Sequence, residues 1–216
     1  ARVTAVGLMA VAAFSSLCLA YILATFRKTV SSEIFFFSFW VLSLGLEALR
    51  LLVLRLAGGG YAVGTVIFVS RLVLGFRLAG LLSFFAASLY AAGFRNEKLG
   101  SALAVICFAA MTLAWAMPID TGVHETGFLL RPGYRTMAVA LAAVLALATV
   151  LDFFYASFST GEHSYRVVAL GAGLALAGQA LVLAMWQPLA MLAGLALLFL
   201  GSWLLVSRLH AYYLWQ

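Results

Sequence analysis

Long apolar runs constrain this chain more than any other feature of its sequence. Stretches of about 20 apolar residues, the length that a helix needs to cross about 30 Å of hydrocarbon, recur between charges, glycine clusters and prolines. The chain therefore reads as an all-α, polytopic integral membrane protein with seven transmembrane helices in a single bundle, one domain covering residues 1–216. The predicted spans are residues 4–26, 34–54, 66–94, 99–117, 137–155, 167–186 and 189–207.

Composition excludes the soluble classes of protein. The chain is 66% hydrophobic and 9% charged, with a mean hydropathy of +1.12, whereas soluble domains carry about 25% charged residues. The formal net charge is +6, but the basic residues are scattered at the predicted membrane edges and do not gather on one face. A soluble enzyme, a disordered regulator and a nucleic-acid partner are therefore not expected.

Two of the apolar runs are longer than one crossing. Residues 167–207 would form about 61 Å of continuous helix, twice the bilayer thickness, and Trp186-Gln187-Pro188 interrupts them. A tight hairpin is predicted there, which separates the sixth span from the seventh. Residues 61–94 would form about 50 Å of helix, so the third span must tilt or project from the membrane.

Basic residues between the spans predict the orientation. An odd number of spans places the two termini on opposite sides, and the inner side is expected to hold more Lys and Arg. We expect a plasma (inner) membrane protein with its N-terminus outside and its C-terminus cytoplasmic. The inner segments then hold Arg27, Lys28, Arg95, Lys98, Arg166 and Arg208, and the outer segments hold Arg2, Arg55, Arg131 and Arg135.

Charged residues within the second and third spans are the main candidates for a functional site. Each costs at least about 2.5–3.5 kcal/mol at the centre of a span, so it should be paired or face a wet cavity. Glu47 and Arg50 share one helix face, and Ser43 extends that face by one turn. Arg71 and Arg77 are six residues apart and point in different directions, so different partners are expected for them.

Helix geometry predicts one specific ion pair. Counting from the centre of the connecting turn, Ala57–Gly60, places Glu47 level with Arg71 to within a few Å. Glu47 is then expected to orient the group, while Arg50 and Arg77 offer donors to a ligand. The alternatives are a buried structural network or arginines that extend to the headgroups. One acid among three arginines leaves two positive charges, which an anionic ligand would neutralise.

The connection Pro118–Arg135 is the longest loop. It contains His124, Glu125 and Arg131, and it lies outside in the preferred orientation. It is expected to be either a solvated connector or a lid over the mouth of a pocket.

Glycine stripes and one further acid complete the membrane-embedded features. Asp152 is expected to pair with Arg166 or another inner-loop base, or to meet water. The small residues are expected to form helix-packing surfaces. They are Gly171, Ala175 and Gly178 on the sixth span and Gly194 and Gly201 on the seventh.

Residues for several known membrane chemistries are missing from the spans. The only lysines, Lys28 and Lys98, lie in loops, which excludes a retinal Schiff base in the last span. Residue sets for haem, zinc and intramembrane proteolysis are also missing, because His124, His163 and His210 lie in loops or the tail. Cys18 and Cys107 are expected to be packing residues. We therefore expect neither enzymatic activity nor a metal or other cofactor.

The number and orientation of the helices resemble those of seven-helix receptors and bacterial membrane sensor modules. This resemblance is architectural and includes no shared motif. It favours a sensor that recognises a small anionic or lipid-like ligand from the outer side and transmits a shift of the second and third helices. A small secondary transporter and a structural subunit of a membrane complex are the alternatives. The expected partners are membrane lipids, the ligand, and an output domain following Gln216 or a partner subunit.

Overall fold

A computed structural model of the chain confirms an all-α bundle of seven helices, each long and apolar enough to cross a membrane. The structure describes residues 2–26, 31–53, 63–94, 98–124, 130–184 and 187–214. The predicted turn at residues 57–60 lies outside these ranges. The helices are α1 (Arg2–Thr25), α2 (Ser32–Val53), α3 (Val63–Ala91), α4 (Leu99–Ala116), α5 (Arg135–Thr160), α6 (Ser164–Ala184) and α7 (Pro188–Leu214).

Helix α2 changes its winding before it ends. It is α-helical over Ser32–Gly45, forms one 3-10 turn over Leu46–Leu49 and then continues as helix to Val53. A 3-10 turn rises about 2.0 Å per residue instead of 1.5 Å and rotates the following side chains to new directions. Glu47 lies within this turn, so ideal α-helical spacing does not describe its position.

The last two helices form the predicted helical hairpin, but α7 is longer than expected. Helix α6 ends at Ala184 and α7 begins at Pro188, with proline at the first helical position, where its missing N–H costs nothing. Helix α7 continues to Leu214, seven residues beyond the predicted end at 207. Its last turns are held by contacts: the His210 ring lies edge-on to Phe26, with 5.4 Å between centroids.

The core of the bundle surrounds α3. This helix packs against α2, α4 and α5, while α1 packs against α2 and α7. Phe84 of α3 lies 4.7 Å from Trp40 of α2 and 6.2 Å from Phe153 of α5, measured between ring centroids. All three aromatic side chains are buried. The aromatic contacts therefore join α2, α3 and α5 around one centre.

Small residues bring the backbones of α6 and α7 into close contact. A Cβ added at Gly178 would lie 2.6 Å from Leu198 N, and one added at Gly201 would lie 2.5 Å from Ala175 N. Lipid offers no hydrophobic driving force between helices, so close backbone packing provides the attraction. The prediction that these glycines form a packing surface is confirmed.

A buried side-chain hydrogen bond joins α2 to α6. Trp40 Nε1 donates to Gln179 Oε1 at 2.9 Å, and both residues are buried. We expect Gln179→Leu to lower the free energy of unfolding by about 1–2 kcal/mol, because the indole N–H loses its acceptor. Thermal unfolding of the purified protein in detergent measures this loss. Ser16→Ala, which removes an exposed hydroxyl, is the control. An unchanged melting temperature for Gln179→Leu would argue against the bond.

A short β-hairpin covers one end of the bundle. Strands β1 (Ile119–His124) and β2 (Leu130–Pro132) pair antiparallel, with Ile119 opposite Pro132. The prediction of a loop is wrong for these residues; β-branched Ile119, Thr121 and Val123 alternate along β1, which is typical of a strand. Leu130 is buried against Val53 and Val66. We call the end of the bundle that carries these strands the hairpin end.

Candidate functional site

A buried carboxylate shared by two arginines joins α2 to α3. Glu47 Oε2 lies 2.9 Å from Arg50 Nε, and Glu47 Oε1 accepts a hydrogen bond from Arg77 Nε at 2.8 Å. Arg77 Nη2 also donates to Glu47 Oε2 at 3.1 Å, so the Arg77 contact is bidentate. Such paired N–H donors are the strong form of an arginine–carboxylate contact. We call these three residues the Glu47 cluster.

The predicted pair between Glu47 and Arg71 is wrong. The Glu47 carboxylate contacts Arg77 instead, six residues further along α3. If residues were counted equally along α2 and α3 from the centre of the predicted turn, Ser43 would lie opposite residue 74. In the structure Ser43 lies against Gly80. Helix α3 is therefore displaced along α2 by about six residues, or about 9 Å, relative to a symmetric hairpin.

Ser43 itself lies at a close contact between α2 and α3. Its hydroxyl donates to the Trp40 carbonyl at 2.7 Å, and it occupies the space that a side chain at Gly80 would need. These contacts pack the two helices one turn away from Glu47. Sequence reasoning missed Gly80 because a single glycine within an apolar span carries no sign of what it faces.

Arg71 points to a different helix. Its guanidinium carbon lies 5.1 Å from the ring centroid of Trp115 on α4, and Trp115 in turn lies edge-on to Phe68. Arg71 Nε is buried, and no atom of the described residues accepts a hydrogen bond from it. The prediction that Arg71 and Arg77 have different partners is confirmed. The group expected from sequence is thus divided between the α2–α3 contact and the α3–α4 contact.

The members of the Glu47 cluster differ in their access to the surface. The side chains of Glu47 and Arg50 are 2% and 1% exposed, whereas that of Arg77 is 19% exposed. Two guanidinium groups on one carboxylate give the cluster a formal charge of +1. A charge in a medium of low dielectric constant interacts strongly with other charges, and Arg77 is the most exposed member of the cluster.

The hairpin lies beside Arg71. Leu130 N donates to Ser70 Oγ at 3.3 Å, which fastens β2 to the residue that precedes Arg71. Of the predicted lid residues, Glu125 lies outside the described residues. For His124 and Arg131 the structure describes the backbone, which forms β1 and β2. A role for this segment as a lid stays a prediction.

Asp152 does not pair with Arg166. It accepts a hydrogen bond from Ser88 Oγ at 3.2 Å, which joins α5 to α3. The Arg166 guanidinium instead lies over the Phe158 ring, 5.5 Å from its centroid. The sequence predicts an inner-loop base or water as the partner of Asp152, whereas the fold supplies a hydroxyl on a neighbouring helix.

A second buried carboxylate was missed. Glu33, in the first turn of α2, is buried, and its Oε2 accepts hydrogen bonds from Ser31 Oγ at 2.5 Å and from the Tyr213 hydroxyl at 2.7 Å. The sequence placed Glu33 just before a span, where a charge usually meets water. Its burial depends on the additional turns of α7, which carry Tyr213.

The two cysteines are packing residues, as predicted. Cys18 is buried in the main apolar core, and Cys107 packs against a smaller apolar cluster that contains Leu78 and Ala110. Among residues 2–26, 31–53, 63–94, 98–124, 130–184 and 187–214, no three His, Cys, Asp or Glu side chains are grouped closely enough to hold a metal ion.

Comparison with known proteins identifies one distant relative of unassigned role. A protein of Treponema pallidum (strain Nichols), described as an uncharacterized protein, is 29% identical to this chain over 162 residues. The match covers 74% of this chain and 44% of the relative, so the chain spans less than half of the relative's length. No family model matches the chain, and no solved structure matches it.

Proposed function

We propose that this protein is a membrane sensor module that binds a small anionic or lipid-like ligand from the outer side, through the Glu47 cluster. In this proposal the hairpin end faces outward. Arg77 contacts the ligand, Glu47 holds Arg77 in position, and Arg50 completes the buried charge network. Binding shifts α2 against α3, and the shift is transmitted to the opposite end of the bundle.

The observation that carries the proposal is the sharing of one buried carboxylate by two arginines. Burying a pair of charges costs several kcal/mol in desolvation per ion, by order of magnitude, so such a network is a poor way to stabilise two apolar helices. A formal excess of one positive charge, with Arg77 partly exposed, is suited to recognition of an anion. Charged residues within membrane spans mark ligand or ion sites by default.

A contact at the far end of α2 supports transmission. Glu33 lies 14 residues before Glu47, about 21 Å away along the helix, and accepts a hydrogen bond from Tyr213 near the end of α7. Movement of α2 at the Glu47 cluster would therefore strain the hydrogen bond between Glu33 and Tyr213 of α7. The Treponema pallidum relative carries more than half of its length outside the matching region, which is compatible with a membrane module joined to further sequence.

Native mass spectrometry of the purified protein tests the proposal. We expect wild-type protein to retain a small anion or an anionic lipid, and Arg77→Gln to lose it, because the exposed donors and the positive charge are removed. Arg208→Ala, which removes an exposed arginine of α7, is the matched control and should retain the adduct. Equal adducts in wild type and Arg77→Gln, or none in either, would contradict the proposal.

A flux measurement separates a sensor from a transporter. The molecule identified by mass spectrometry is loaded outside proteoliposomes, and its uptake is followed over time. A sensor binds without uptake above that of empty vesicles. Uptake that Arg77→Gln abolishes would replace the sensor with a transporter that uses the same residues.

A further inference from the structure

Arg71 is a cation in a membrane-spanning helix, and the described residues give it no acidic partner. Glu47 forms ion pairs with Arg50 and with Arg77, and Arg71 takes part in neither of them. Its Nε is buried without a hydrogen-bond acceptor in the described part of the chain. An uncompensated cation near hydrocarbon is costly, so its retention calls for an acceptor beyond those that the described residues supply.

The stacking of Arg71 on Trp115 determines which acceptors fit. A guanidinium 5.1 Å from the indole centroid is within cation–π range, and its charge is partly balanced by the ring. A planar guanidinium held by such a contact keeps its N–H donors for an oxyanion with two oxygens in reach, such as a phosphate. Phe68 lies edge-on to Trp115, 6.0 Å between centroids, and supports the ring.

The depth of Trp115 favours a lipid as the source of that phosphate. Trp115 is the second-last residue of α4, whose 18 residues measure about 27 Å, close to the thickness of the hydrocarbon layer. One end of α4 therefore reaches the boundary with the headgroups, where tryptophan is enriched in membrane proteins. Trp115 is 47% exposed, which is consistent with contact with surrounding lipid. This depth would bring the guanidinium over Trp115 close to the headgroup phosphates.

We propose that Arg71 and Trp115 form a binding site for the phosphate of a phospholipid at the hairpin end, between α3 and α4. The site is separate from the Glu47 cluster and does not depend on its proposed function. The phosphate accepts hydrogen bonds from the Arg71 guanidinium, and the acyl chains lie along the apolar outer surfaces of α3 and α4. Leu130 N, bound to Ser70 Oγ, holds the hairpin beside this lipid.

Lipid titration followed by native mass spectrometry tests the site. Delipidated protein in detergent is titrated with phosphatidylglycerol, phosphatidylcholine, diacylglycerol and inorganic phosphate. Both phospholipids should bind, because both carry the phosphate, whereas diacylglycerol should not compete. Arg71→Ala should weaken phospholipid binding by about tenfold or more, which corresponds to the loss of hydrogen bonds to a charged group.

Further variants keep the result interpretable. Arg71→Lys retains the charge without the planar donors and should weaken binding by a few-fold, so it provides a measurement even if Arg71→Ala does not fold. Trp115→Leu should also weaken phospholipid binding, although Arg71 is unchanged, because the guanidinium loses the ring that positions it. Arg135→Ala, which removes an exposed arginine at the same end, should bind as wild type does. Unchanged phospholipid binding by the Arg71 variants, equal binding of diacylglycerol, or Arg71-dependent binding of inorganic phosphate alone would overturn the lipid site.

Discussion

Replacing Glu47 with alanine is expected to destabilise the folded protein by about 3–5 kcal/mol, because buried Arg50 and partly buried Arg77 then lose the carboxylate that they share. Arg50 is 1% exposed and cannot reach water without a change in structure. Unfolding in mixed detergent, followed by circular dichroism, measures the loss. Glu162→Ala, which removes an exposed acid before α6, is the control and should change stability by less than about 0.5 kcal/mol.

A double-mutant cycle distinguishes this contact from general disruption. Glu47→Ala combined with Arg77→Ala should cost clearly less than the two single changes added together, because each single change already removes the same contact between Glu47 and Arg77. Glu47→Ala combined with Arg71→Ala should be additive, since Arg71 contacts Trp115 instead. Additivity of the Glu47 and Arg77 changes would contradict the bidentate contact.

The second large effect is expected between α6 and α7. Gly201→Ala should destabilise the protein by about 1–3 kcal/mol, because the added methyl group would lie 2.5 Å from the Gly171 carbonyl oxygen and from Ala175 N. Both atoms belong to backbone, so the two helices must separate. Gly201→Leu should prevent stable folding. Yield of monodisperse protein and its melting temperature measure both effects.

A glycine elsewhere in the bundle provides the matched control. Gly64, in the first turn of α3, has no atom within 4 Å of the position of an added Cβ. Gly64→Ala should therefore be neutral or slightly stabilising, since alanine is the better helix former. Equal losses from Gly64→Ala and Gly201→Ala would show that glycine replacement, rather than helix contact, is responsible.

The number of helices and most of their positions could be predicted from sequence alone. The reason is that the bilayer sets the length of an apolar run, and charges, glycines and prolines mark its ends. Predictions failed where a neighbouring helix decides the outcome. The end of α7 is one example, because Tyr213 and His210 are held in helix by Glu33 and Phe26, which lie far from them in sequence.

The charged residues of the candidate site could be predicted from sequence, but the ion pairs that they form could not. Glu47, Arg50, Arg71 and Arg77 stand out because charges are rare within apolar spans, a property that any single sequence reveals. Which arginine meets Glu47 depends on how far α3 is displaced along α2. That displacement is decided by packing, above all by the fit of Ser43 against Gly80.

The sequence by itself determined that this chain spans a membrane seven times and that one acid and three arginines lie within its second and third spans. The tertiary structure alone decided that Glu47 is shared by Arg50 and Arg77, while Arg71 lies on Trp115. The physical reason is that hydrocarbon selects helices by their own composition, whereas the contacts of a buried charge depend on the register of adjacent helices. Register arises from the shapes of side chains that are distant in sequence.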